Sequence, residues 1–579
     1  MLSKMKSLKI ILFVPLFFLS TTTWSTWSHG LDQTYITEWK KFYPSKSLSR
    51  GIHASIFQFE NFSKDNIEQW LDFNEQVLAK LSKKDADIGA IDARLLRVQV
   101  LSEIDQWKKL SLHKSSLQMY TRLIAGAIDP ILTADYLIAP EKIDLICQRF
   151  QHVTELSHAA KSNLTMVAED DLSRGVSSLS ATLAFYKNDL SQSIKAEFST
   201  NNCQDFNSKL QNTIKSLDEL HAFAKETLSK NALKPQKIIG YDEYARRLKL
   251  YTDSELTPEA LAEMALAEIE HVKALIAEVS KTYLQVTYPD EPIPDNDNEL
   301  TAKALADMEK DAPLNAEEYL QFWNQLSQAA VQFIKDHDIA TLPKNNTLRI
   351  VTAPESAGAA ARIGWVASAP PFDPNPITTL NLPSIPETLP KQEQLDFWAS
   401  FNKPFNRMIV IHELFPGHYM QLKISRETAH PIRLLFPYGI YTEGWATFTE
   451  KVLLDAGWEQ ENHLTYLAHL RKRLENANRA YTSMQVHCNG WSQEQVMKFS
   501  TETSLLAPQF AKSLWGRIIS SPMQLTSYFL GGSQFTELLD AEKARLGDEF
   551  NLKLFMDTIM KAGPIPIDEF YRIFALIKP

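Results

Sequence analysis

Apolar residues along most of this chain recur every three or four positions, a period that few folds other than packed amphipathic helices can use. NIEQWLDFNEQVLAKLS at 66–82 and SRGVSSLSATLAFYKNDL at 173–190 carry the pattern. The turn signals separating such stretches from about residue 33 to 230 are short, so this region reads as helical hairpins. A second helical block opens at TPEALAEMALAEIEHVKALIAEVSKTY, where Thr257 suits an N-cap and Pro258 the first helical position. With 18 glycines in 579 residues there is little material for Gly-rich loops or repetitive β architecture. No internal repeat of solenoid or propeller period is found. The length exceeds the ~250–300 residues at which one hydrophobic core stops growing, which predicts two or more lobes with a cleft between them.

The stretch from 348 to 382 differs. LRIVT (348–352) and ITTLNL (377–382) are β-branched runs that read as strands. Between them SAGAAARIGWVASAPPFDPNP, rich in Ala, Gly and Pro, reads as an irregular excursion, and the acidic YPDEPIPDNDNE at 288–299 as a loop. Helix resumes near 390 and continues to the end. The expected architecture is mainly α: two helical lobes, with a small β-sheet next to the chemically richest helix. The expected divisions are an export segment at 1–28, an N-terminal helical region at 29–235 and a catalytic region at 236–579.

Sixty basic against 70 acidic residues give a net charge of −10, which argues against nucleic acid as a partner. Lys4, Lys6 and Lys9 precede an apolar run from Ile10 to Leu19 interrupted by Pro15, followed by the small, polar STTTWSTWS. Such a run falls short of the ~20 residues a bilayer span needs and matches a cleaved secretory signal. No cysteine follows it closely, so lipid attachment is not indicated. The mature protein is expected to be periplasmic or secreted, without a membrane span. Three cysteines are too few for a disulfide framework in a chain of this length. A Cys147–Cys203 bridge and isolated buried thiols remain alternatives, and a cysteine zinc site is excluded by number and spacing.

The chemistry concentrates in FNRMIVIHELFPGHYMQLKIS (405–425). In the zinc-peptidase pattern HExxH two histidines four residues apart share a helical face, and the adjacent Glu polarises the attacking water. Here His412 and His418 are six apart, about 120° around a regular helix and ~9 Å along it, too far to share an ion. Pro416 and Gly417 lie between them and can break the helix, which would return His418 towards His412. IYTEGWATFTEKVLLDAGW (440–458) reads as a helix with Trp445, Phe448 and Val452 on one stripe and Glu443 and Glu450 on another. Two His and one Glu form a common catalytic zinc set that leaves a position for water. Glu443, beside the small-plus-bulky Gly444 and Trp445, is the expected third ligand. Glu450 is the expected hydrogen-bond partner of a ligand histidine, and Glu413 the general base.

TEGWATFTE resembles the NEGFAxxxE element of zinc aminopeptidases, whose first Glu is a metal ligand. Together with HELFPGH it more closely resembles the bacterial family known as domain of unknown function 885, related to the HExxH-type zinc metallopeptidases. RAYTSMQVHCNGW (479–491), SPMQLTSYFLGG (521–532) and GYDEY (240–244) extend the likeness over about residues 235–579. Tyr419 stands where that family usually has a further His, Ser483 where it often has Asp, and Gln485 where it often has Gly. The resemblance implies zinc-dependent hydrolysis of peptides and a late tyrosine, Tyr528, as hydrogen-bond donor to the oxyanion; a two-lobed helical body with an enclosed cleft would favour short peptides over folded proteins. His487 is a candidate for the same task. Arg479 and Arg517 are candidates for a substrate carboxylate, and Asn381, on an expected edge strand lining the cleft, for the substrate backbone. Two other readings fit the same residues: an exported zinc amidase or esterase on a non-peptide substrate, and a non-catalytic helical binding protein.

Overall fold

The computed structural model describes residues 30–82, 88–197, 203–235, 237–344, 347–506 and 508–577. The expected export segment lies outside them. The periodic stretches form helices where the pattern places them. Lys64–Ser82 buries Ile67, Trp70, Asn74 and Val77, and Glu169–Asn188 buries Leu172, Gly175, Leu179, Leu183 and Tyr186. In Pro258–Thr287 the Thr257 hydroxyl accepts a hydrogen bond from the amide of Ala260 at 3.2 Å, the N-cap its position predicts. Among the described residues the fold is mainly helical with one small, three-stranded sheet. Among the described residues no helix is long and apolar enough to cross a membrane.

Two large hydrophobic cores form. One gathers buried residues from Tyr35 to Leu228, with Ile432, Leu435 and Phe436 reaching in from later in the chain. The other runs from Tyr244 to Phe574 and includes Leu95. The helix Ala90–Ile104 serves both: Leu95 faces the second core while Leu96 and Val100 face the first. Arg94 on that helix pairs with Asp253 at 2.7 Å, Asp568 at 2.8 Å and Glu569 at 3.0 Å. Arg433 pairs with Asp92 at 2.6 Å. Within the first core Cys147 and Cys203 are joined as a disulfide, their Cα atoms 6.1 Å apart, and Cys488 is free.

The sheet departs from expectation in two respects. Strands β1 (Leu348–Thr352), β2 (Trp365–Ala367) and β3 (Thr378–Leu382) are ordered β1-β3-β2. The Ala- and Pro-rich excursion thus contributes a strand of its own. It pairs antiparallel with β3, Trp365 opposite Asn381, while β1 pairs parallel on the other side. β3 is therefore the central strand, not an edge, because both of its rows of backbone groups are already paired.

Candidate metal centre

The helix that carries His412 spans Lys403–Glu413 and stops there. In the reversal that follows, the amide of Phe415 bonds the carbonyl of Val410 at 3.2 Å, that of Gly417 the carbonyl of Ile411 at 2.9 Å, and that of Met420 the carbonyl of Leu414 at 3.1 Å. A new helix, His418–Thr428, then begins. The break predicted at Pro416–Gly417 is present, and it sets the two imidazoles 4.9 Å apart, nearly perpendicular. Gly417 is required by this path, since a Cβ there would collide with the carbonyl oxygens of Ile411 and His412.

Glu443 arrives on the helix Tyr441–Asp455. The Trp445 indole on the same helix donates to the carbonyl of Pro416 at 3.0 Å, tying this helix to the break between the histidines. On the other side Gly444 lies backbone to backbone against Gly531 of the helix Gln524–Leu546. With the helix clamped this way, one Glu443 oxygen stands 3.4 Å from His418 Nε2 and 3.8 Å from His412 Nε2. Ligand atoms of all three residues lie within 4.8 Å of one another. Three ligands at ~2.1 Å from a tetrahedral ion are about 3.4 Å apart, so small side-chain movements would let this set close on a divalent cation.

The next layer is buried. Glu450 is inaccessible to solvent, and its two oxygens lie 2.8 Å from His412 Nδ1 and 2.8 Å from His469 Nδ1. Burial would raise the Glu450 pKa, but the hydrogen bonds from His412 and His469 outweigh it and hold the carboxyl at about 2. An ionised carboxylate can only accept, so His412 donates to Glu450 from Nδ1, and this leaves Nε2 facing Glu443. Burial likewise opposes ionisation of Glu443, yet His418, His412 and Tyr528 hold it at about 2. For His418 desolvation is overcome by Glu443, with Glu413 and Glu450 contributing, and its pKa is raised. Glu413 ends its helix half-buried, and its carboxylate makes no hydrogen bond among the described residues.

Tyr528 adjoins the cluster. Its hydroxyl accepts a hydrogen bond from Gln524 Nε2 at 2.9 Å, and the same nitrogen lies 3.5 Å from Glu443. Arg517 donates to Gln524 at 3.1 Å. The Arg479 guanidinium sits 5.0 Å above the Tyr528 ring. Burial and the Glu443 charge push the phenol's pKa up, so it keeps its proton as a donor.

Three sequence-based expectations need correction. His487 is buried with both ring nitrogens engaged: the Ile239 amide lies 3.4 Å from Nδ1, and Nε2 is 3.0 Å from the Ile518 carbonyl. No ring nitrogen is left for an oxyanion. Asn381 is turned into its own sheet, its amide facing the carbonyls of Trp365 at 3.5 Å and Thr379 at 3.4 Å, so it is not aligned along a free strand edge. Arg479 is mostly buried, paired with Glu475 and bonded to Asn476 at 3.2 Å. Those partners and Tyr528, not an open cleft, surround its guanidinium. Sequence reading missed His469 and Gln524. His469 lies on a stripe with Thr465, Asn476 and Ala480, a buried helix face on which a histidine signals a partner. That partner, Glu450, is reached only through the fold.

Residues 44–572 match a family described as bacterial protein of unknown function (DUF885). Two solved structures share the fold. One, described as "a putative lipoprotein of unknown function from Shewanella oneidensis", is 18% identical with a TM-score of 0.80, covering 94% of this chain and 98% of that one. The other, "the putative lipoprotein from Colwellia psychrerythraea", is 17% identical with a TM-score of 0.68, covering 93% and 97%. No curated protein matches the chain.

Proposed function

The chain belongs to the DUF885 family of bacterial proteins of unknown function, and from the geometry of its buried histidines and glutamates we propose that it is a zinc metallopeptidase hydrolysing short peptides. One observation carries the reading: His412, His418 and Glu443, from three separate helices, bring their ligand atoms within 4.8 Å of one another. Zinc, when bound there, would polarise a scissile carbonyl and lower the pKa of water towards ~7. Glu450 fixes the His412 tautomer that leaves Nε2 available. Glu413, free of other hydrogen bonds, takes the proton of the attacking water and returns it to the leaving amine. Tyr528 keeps its phenolic proton and donates to the oxyanion, while Gln524 holds its oxygen in place. The two cores are read as the two lobes of a peptidase, with the site carried on helices of the second core, and so enclosed a site favours short peptides over folded proteins. The basic, apolar and then polar N-terminus makes the protein an exported one, periplasmic or secreted, in keeping with neighbours described as lipoproteins.

The test separates metal binding from catalysis. Purified protein should carry about one zinc per chain by elemental analysis. Glu413→Gln should keep its zinc while peptide turnover falls by ~10²–10⁴-fold, and Glu443→Gln should lose zinc and turnover together. Absence of stoichiometric zinc would favour a non-catalytic binding protein, and cleavage of esters without cleavage of peptides an esterase. If neither substitution altered peptide cleavage, the reading would fail.

A further inference from the structure

Beside the candidate metal centre, where the two hydrophobic cores meet, lies a cavity of about 380 Å³, within the ~300–1,000 Å³ range of small-ligand sites. Arg50, Gln99, Ser102, Arg247, Tyr251 and Met523 are among the residues that line it. No carboxylate lines it. Arg50 caps the short helix Pro44–Ser49, and its carbonyl is held by the Phe372 amide at 2.9 Å. Its half-buried guanidinium has no hydrogen-bond or ion-pair partner among the described residues, and the nearby Lys46 adds like charge. Arg247, which also lines the cavity, is anchored through Nε to Glu243 at 2.7 Å. A partly desolvated, unpaired cation is costly, and an anion entering this cavity would relieve that cost with charge-assisted, fork-shaped hydrogen bonds.

The cavity shares a wall with the metal centre. The Tyr251 hydroxyl donates to the carbonyl of Gly439 at 3.1 Å, and Glu443 follows about one helical turn later. Met523 directly precedes Gln524, which reaches both Glu443 and Tyr528. The Tyr251 phenol, pushed to about 12 chiefly by burial, also senses the charges of Glu443 and Tyr528.

The geometry points to this cavity as the receptor for the free C-terminal carboxylate of the substrate, with Arg50 as its principal contact. The protein is then an exopeptidase that shortens short peptides from their C-terminal end. This rests on the peptidase reading above and specifies its substrate class. Each turnover adds one water across the amide, breaking the C–N bond. The product taken up by the cavity leaves as an amine that still carries the original carboxylate.

The experiment compares one short peptide in three forms: free acid, C-terminal amide, and N-acetylated acid. Cleavage by the zinc-loaded protein is followed by product mass and kcat/KM, and binding of acid and amide to zinc-loaded Glu413→Gln by calorimetry. Products should be shortened from the C-terminus, and N-acetylation should be tolerated. Amidation should lower kcat/KM and affinity by ~10–100-fold, as expected for loss of a charge-assisted bond. Arg50→Met should bring acid and amide close to equality by raising KM for the acid. Should that variant fail to fold, the acid-to-amide ratio of the unaltered protein decides alone. Equal cleavage and binding of acid and amide, or products trimmed from the N-terminus, would overturn the carboxylate site and leave the peptidase reading standing. If no peptide is cleaved yet acid still binds in preference to amide, the carboxylate site stands and the peptidase reading falls.

Discussion

At the scale of single residues the centre depends on one buried carboxylate as much as on its three candidate ligands. Glu450 accepts from His412 and His469 at once, so the ring that faces the metal position is oriented by a histidine 57 residues further along the chain. Glu450→Gln removes the charge that fixes both imidazoles, and His469→Ala strips one partner from a carboxylate that stays buried. Each change should weaken zinc affinity by about 10–100-fold, read by competition with a chelator. The charges also set a pH dependence. His418 has its pKa raised in the metal-free protein by its carboxylate neighbours. Its pairing with Glu443 therefore stabilises the metal-free fold fully below the ordinary imidazole range, and that contribution is lost as pH rises through the raised value. A protonated imidazole cannot ligate, so zinc uptake must release that proton. Zinc affinity and the rise in Tm on adding zinc should both be smaller at pH 6 than at pH 8, measured by thermal melts with and without metal.

At the scale of elements, two close backbone approaches set the distances. The chain folds back at Gly417, and the helices carrying Glu443 and Tyr528 touch at Gly444 and Gly531, where each Cα lies against the other's backbone. A methyl group at position 444 must push the helices apart. Gly444→Ala should cost about 1–3 kcal/mol by the usual penalty of overpacking. It should also lower zinc content, because Glu443 is the neighbouring residue. Denaturant titration checks the first effect and elemental analysis the second. A variant with full zinc occupancy would mean that the helix contact does not set the ligand's position.

At the scale of the whole molecule, the Ala90–Ile104 helix joins the two cores through its apolar faces and through Arg94, which meets Asp253, Asp568 and Glu569 together. Breaking a buried ion pair costs about 3–5 kcal/mol. Arg94 is about one-fifth exposed, and Arg97 and Arg572 still serve Asp253 and Glu569, so Arg94→Met should cost roughly 2 kcal/mol. The loss falls at the seam between the cores. Urea unfolding followed by near-ultraviolet and far-ultraviolet circular dichroism should then lose its coincidence, as the cores unfold separately. The carboxylate-receiving cavity lies on the same seam and should be weakened with it.

Helix content, the position of the helix break and the set His412, His418, Glu443 and Glu450 were legible in the sequence, because each rests on local rules. A 3.6-residue period marks a buried stripe, Pro followed by Gly interrupts it, and seven residues place Glu443 and Glu450 on one face. The family resemblance rested on the same short motifs. What the tertiary structure decided involves contacts between distant segments, which no period or spacing encodes. His487 and His469 look alike on their shared helix. Eighteen residues, five full turns, set them on one face; one is tied to main-chain groups at Ile239 and Ile518 and the other to the Glu450 carboxylate, because different segments pack against the two ends of that face. β3 became the central strand because a three-residue piece of the Pro-rich excursion paired with its free side. No motif or period marks Arg50; the fold sets it in one cavity lining with Tyr251 and Gly439, and that cavity exists only where the two cores meet.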